Sequence, residues 1–171
     1  MAYTEEKNKE TEWDRPLVLG NFTVHQGESV SGFLKLEDGE FEFPATVIRG
    51  DRPGKTVLIT AGIHPGEYVG VEAAVELGRE LRPEKIDGTV IIIKVISREE
   101  FEQRKGSAGM TGGRNLYRLF PGNMDGERLE RLADLVTRQL LSIADYYIDL
   151  HSGDDYEELT PYVYYAGKAD P

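Results

Sequence analysis

Cysteine is absent from all 171 residues. That excludes disulfides, thiolate catalysis and cysteine-based zinc knuckles, so any metal must be held by histidine and carboxylate. No apolar run approaches the ~20 residues needed to span a bilayer. The opening stretch "MAYTEEKNKETEWDRP" is charged throughout and lacks the apolar segment of a secretory signal. The expected setting is therefore the cytoplasm, with no membrane partner. Basic charge is also short, with 20 Lys and Arg against 31 Asp and Glu and a formal net charge of -11. Such a surface repels phosphate backbones, which excludes nucleic-acid binding through a broad basic patch. The acids are spread along the chain and read as a solubility feature.

What remains is ordinary globular material, 39% hydrophobic and 30% charged, of a length that fits one domain with a sizeable core. Residues 1–16 read as a charged flexible arm and 17–171 as the domain. From Leu17 to Gly50 short extended runs alternate with turn residues. "SGFLKLEDGEFEFPATVIRG" predicts two strands joined by a hairpin turn at "EDGE", and "GDRPGK" reads as a second loop. "TVLITAG" (56–62) and "GTVIIIKVIS" (88–97) are continuous apolar runs, the pattern of strands buried on both faces. Between them Val71, Ala74, Val75, Gly78 and Leu81 recur at helical spacing, with Pro83 as the stop. Residues 105–114 form a Gly-rich loop. A second helix places Leu129, Leu132, Ala133, Val136, Leu140 and Ile143 on one face, and "DYYIDLH" (145–151) and "PYVYYAG" (161–167) read as further strands. The pattern points to an α/β fold, a mixed sheet flanked by helices.

Ligands of such sheets bind beyond the carboxyl ends of the strands, and two of the three histidines fall there. His64 precedes Pro65 and so should end its strand. Pro65 suits the first helical position, which would put Glu67 third, in the first helical turn. His64 and Glu67 can then face one crevice. An acid in that turn is also favoured by the helix dipole alone, and a junction histidine by hydrogen bonding alone. His151, ending "IDLH", adds a third donor, with Asp149 two residues earlier on the same strand face and able to orient the imidazole. Two histidines and a glutamate suffice for a zinc site with one open position. His25 lacks an acidic partner and reads as structural. In "GGRNLYRLFPGN" (112–123), Arg114, Asn115 and Arg118 sit in a Gly-rich loop that ends at Phe120-Pro121-Gly122, where arginine can grip a carboxylate bidentately or simply be solvated.

Taken in order, "FPATVIRGDRPGKTVLITAGIHPGEYVGVEAA", "GTVIIIKVIS", "RNLYRLFPGN" and "IDLHSG" resemble the succinylglutamate desuccinylase/aspartoacylase family, a branch of the zinc carboxypeptidase superfamily. The resemblance implies a zinc-carboxypeptidase-like fold and one Zn2+ ion held by His64, Glu67 and His151. It implies that Arg118 binds a substrate carboxylate, beside Asn115 and Tyr117, and that Arg104 polarises the scissile carbonyl. The implied activity is hydrolysis of an amide bond in a small N-acyl amino acid or short peptide. Tyr117 departs from the asparagine that usually precedes the motif's arginine. The family's general-base glutamate follows the third ligand by several tens of residues, and nothing up to Pro171 matches it; no motif promotes Glu157 or Glu158. The chain thus looks like the N-terminal part of a longer enzyme, its sheet incomplete at the C-terminus. An edge exposed there would favour a homo-oligomer. A metallocarboxypeptidase, a non-catalytic metal- or ligand-binding module, and a domain with purely structural histidines are the alternatives.

Overall fold

The computed structural model describes residues 12–36, 39–106, 113–154 and 157–165. The first eleven residues of the arm, 37–38 of the expected hairpin turn, 107–112 of the Gly-rich loop and 166–167 of the expected last strand lie outside them. A two-stranded antiparallel ribbon, β1 (Leu17–Leu19) and β2 (Phe22–Val24), opens the fold. The main sheet contains β3 (Ser29–Lys35), β4 (Glu42–Arg49), β5 (Arg52–Ala61), β6 (Asp87–Ile93) and β7 (Tyr146–Leu150). Its order is β3-β4-β6-β5-β7; β4 runs antiparallel to both neighbours, and β5 pairs in parallel with β6 and β7. The helices are α1 (Tyr68–Glu80), α2 (Arg98–Glu102) and α3 (Arg128–Gln139). No described helix is long and apolar enough to cross a membrane.

The apolar runs are explained by two cores on opposite faces of the sheet. Successive residues of a strand point to opposite faces. Ile91 and Ile93 accordingly join Leu129, Leu132 and Val136 of α3, whereas Val90 and Ile92 join Val71 and Ala74 of α1. Ile91, Ile92 and Ile93 are each 0% exposed. Each contributes roughly 1.5–3 kcal/mol by leaving water, which commits β6 to the middle of the sheet.

Several elements differ from expectation for identifiable reasons. "GDRPGK" is not all loop: β5 begins at Arg52, which pairs with Asp87 before the register shifts ahead of Thr56. That irregularity accommodates Pro53 and Gly54, the residues that read as a turn. The run 88–97 leaves the sheet after Ile93, and Ser97 is already the cap of α2. Ile143 is 43% exposed, and Leu135 is buried in α3 instead. Residues 161–165 form no strand, and Val163 is 88% exposed. Their alternation suits a strand, but none of the described strands offers them a partner. At the end of the arm Asp14, Arg15 and Pro16 are exposed, but Trp13 is partly buried. Trp13 lies in a 3-10 turn (Glu12–Asp14), with the Arg49 guanidinium 4.3 Å from its ring centre. Arg49 also donates to the carbonyls of Trp13 (2.7 Å), Val24 (3.3 Å) and Arg15.

Arg49→Ala would leave those carbonyls without their charged donor. It is expected to cost roughly 3 kcal/mol and to shift the emission of Trp13, the chain's single tryptophan, to the red. Unchanged emission and stability would contradict this clasp. Gly122, at φ +92, sits where a Cβ would lie 2.0 Å from the Asp134 backbone nitrogen. Gly122→Ala should cost at least about 2 kcal/mol in urea unfolding. Gly113→Ala, at φ +68 with nothing within 4 Å, should cost only about 1 kcal/mol. Equal midpoints would refute the close approach of this loop to α3.

Candidate metal centre

β5 ends at Ala61, and Gly62 turns the chain away at φ +61. The Ser97 hydroxyl donates to the Ile63 carbonyl at 2.7 Å and pins the loop from below. Pro65 and Gly66 form a turn rather than the first helical residues. The helix starts at Tyr68, which makes Glu67 its N-cap at φ -86, ψ 65. Its side chain makes no capping bond. The carboxylate turns instead to two imidazoles and to the Ser152 N–H at 3.2 Å. A Cβ on Gly66 would fall 1.8 Å from Asp154 Oδ1, so glycine there makes room for that carboxylate.

His64 Nδ1 lies 2.8 Å from Glu67 Oε1, and His151 Nδ1 lies 2.8 Å from Glu67 Oε2. The rings meet edge to face with centres 5.0 Å apart. Behind them both Nε2 atoms face oxygen acceptors, Asn115 Oδ1 for His64 at 3.1 Å and Asp149 Oδ2 for His151 at 2.9 Å. An acceptor at Nε2 keeps a proton there, so that when the Nδ1 proton, here donated to Glu67, is lost, the Nδ1 lone pair is the one left facing inward. The donor atoms of His64, Glu67 and His151 all lie within 4.8 Å of one another, so the group can hold a metal ion. Two imidazole nitrogens and a carboxylate match what zinc takes in a catalytic site.

The electrostatics follow from this packing. Burial opposes ionisation of Glu67, but the hydrogen bonds from His151 and His64 outweigh it and hold the carboxyl at about 2. Asp149, then Glu67, raise His151 to about 10. Glu67 likewise raises His64, against the opposing effect of burial. Each ring is thus stabilised as a cation by fixed negative charge, the field a divalent ion would also find favourable.

The other expected site residues divide. Asn115 joins the cluster, but its amide oxygen is committed to His64 and to the Tyr117 N–H at 2.9 Å, where it caps the 3-10 turn Leu116–Arg118. Tyr117 stands over both imidazoles, with ring centres 5.8 Å from His151 and 6.2 Å from His64. Arg118 is exposed at the end of that turn, and Arg104 is exposed after α2 in a left-handed conformation at φ 53. Among the described contacts neither guanidinium touches the cluster. Arg114 is engaged elsewhere, with Glu127 at 2.8 Å and Glu130 at 3.0 Å. His25 is exposed, and Glu157 reaches the Asp154 N–H at 3.4 Å without entering the cluster. Thr60, Tyr147, Ser152 and Asp154 are the neighbours that sequence reasoning missed. Tyr147, Asp149 and His151 repeat with period two, a signal that would have put Tyr147 on the same face. Two cavities of about 290 Å³ flank the sheet, one at Phe41, Arg98 and Arg128, the other at Leu17, Ile91 and Ile143. Neither is lined by a histidine.

The succinylglutamate desuccinylase/aspartoacylase catalytic domain family matches residues 53–171, which hold all three donors. The N-alpha-acetyl-L-2,4-diaminobutyric acid deacetylase of Halomonas elongata is 35% identical over 164 residues, 91% of this chain and 47% of that protein. A succinylglutamate desuccinylase from Silicibacter sp. TM1040 superposes with a TM-score of 0.66 at 34% identity, over 81% of this chain and 43% of the other. The product-bound ectoine utilization protein EutE (DoeB) of Ruegeria pomeroyi gives 0.64 at 32% identity, over 81% and 43%. The chain therefore spans under half the length of these relatives. It belongs to the succinylglutamate desuccinylase/aspartoacylase family.

Proposed function

We propose that this chain carries the metal-binding part of a zinc-dependent amide hydrolase that releases the acyl group from a small N-acyl amino acid. One observation carries the reading. Both imidazoles turn Nδ1 towards the Glu67 carboxylate while Asn115 and Asp149 hold their Nε2 atoms. When bound, zinc lowers the pKa of a coordinated water from 15.7 to about 7 and polarises a carbonyl oxygen. The protein's part is to hold His64, Glu67 and His151 in one orientation and to place the substrate. Tyr117 forms a wall beside the two rings. Arg118, exposed on the same turn as Tyr117, is suited to gripping the substrate carboxylate, and Arg104 to polarising the amide carbonyl. Moving a proton to the leaving nitrogen falls to a carboxylate outside the ligand set. The activity named in the Halomonas elongata relative supports an acetyl group on a diamino acid as the first substrate to test.

Two outcomes test this. Zinc uptake must displace a proton from His151, which is held at about 10, and from His64, which is held above its ordinary range. Affinity should therefore rise with pH, with about one to two protons released per ion in calorimetry across buffers of different ionisation enthalpy. Glu67→Gln should weaken binding at least ~10-fold. Absence of zinc binding in the parent protein would sink the metal reading. For the activity, protein spanning the full length of the relatives should release amine from N-acetyl diamino acids and stop when zinc is chelated. Release only from C-terminal peptide bonds would assign a carboxypeptidase instead.

A further inference from the structure

We propose that the Thr60 hydroxyl, itself oriented by Tyr147, is a positioning group for His151 and acts on that ring through Asp149. The inference rests on the metal reading of His151. Thr60 pairs with Asp149 across the parallel β5–β7 ladder, and Tyr147 lies two residues before Asp149 on the same face. Thr60 is a polar residue only 1% exposed. It donates to Asp149 Oδ1 at 2.6 Å, while Asp149 Oδ2 takes the Nε2 proton of His151 at 2.9 Å.

The proton count sets the direction of the chain. A hydroxyl has one proton, and Thr60 gives its own to Asp149. The Tyr147 hydroxyl, 3.0 Å from Thr60 Oγ1, must therefore be the donor of that pair. The sequence runs Tyr147 O–H to Thr60 O–H to Asp149, with His151 donating from the other side. A carboxylate held at both oxygens cannot rotate away, so the plane of the imidazole and the inward aim of Nδ1 are fixed from two residues behind it. A valine at position 60 would fill the same space and bury as well, which separates positioning from packing.

The test measures zinc affinity by competition with a chromophoric chelator, thermal midpoint, and the ring ¹⁵N shifts of His151 in zinc-free protein. Thr60→Val should bind zinc about tenfold more weakly and move the His151 ring shifts, with a midpoint loss no larger than the loss of one buried hydrogen bond brings. Thr60→Ser should return both to near the parent values. Tyr147→Phe should weaken binding by about threefold. Parent-like affinity and shifts in Thr60→Val would overturn the proposal. So would equal losses of affinity and midpoint in the valine and serine variants, since packing alone would then explain them. A parent that binds no zinc, with ring shifts that still move in Thr60→Val and recover in Thr60→Ser, would leave the hydrogen-bond chain standing and remove the metal reading.

Discussion

The parallel pairing of β5 with β7 is the constraint on which the chemistry depends. It joins segments 84 residues apart, so that Glu67 at the start of α1 meets His151 at the end of β7. The start of the pairing is held by Asp145, which accepts from the Thr56 N–H at 2.8 Å and from Lys55 Nζ at 2.7 Å. A slip of one residue would carry Tyr147, Asp149 and His151 together to the opposite face and dissolve the cluster. The register is well determined elsewhere, because β5 and β6 bury both faces and a shift would expose one of two cores.

Within that frame Glu67 forgoes a helix cap, a bond worth about 1 kcal/mol, for two imidazoles. The exchange makes sense electrostatically. A buried carboxylate is costly to ionise alone, and two charge-assisted hydrogen bonds outweigh that cost. The result is a compact group with its donors facing one point and its outer atoms held by Asn115 and Asp149. The turns around it need glycine at positions 62 and 66, where a side chain would strike Val95 and Val71 or the Asp154 carboxylate.

Much of this was legible in the residues. The two buried strands were readable from their continuous apolar runs, and the helix that starts at Tyr68 and the strand before His151 from their period, although the second run overshoots its strand by four residues. His64 and His151 stood out because histidine is scarce and each follows a strand, and Glu67 because it lies three residues after His64 where the helix begins. The failures share one physical origin. Pro65 reads as a helix start from local geometry, yet the true start is set by where Glu67 must reach, a tertiary demand invisible in sequence. Pro53 and Gly54 read as a loop because a bulge uses the same residues. "PYVYYAG" has strand composition, but a strand exists only with a partner. Thr60 was hidden because nothing local marks a hydroxyl whose acceptor is 89 positions away.

The central proposal is that three side chains, two following strands and one at a helix start, hold a single zinc ion, and the geometry of the cluster is what supports it. The most direct measurement is anomalous diffraction at the zinc edge from crystals grown with the metal. The account predicts one strong peak bonded to Nδ1 of His64, to Nδ1 of His151 and to the Glu67 carboxylate, with Asn115 and Asp149 still on the Nε2 atoms. A peak elsewhere, or coordination through Nε2 with those two partners released, would contradict it.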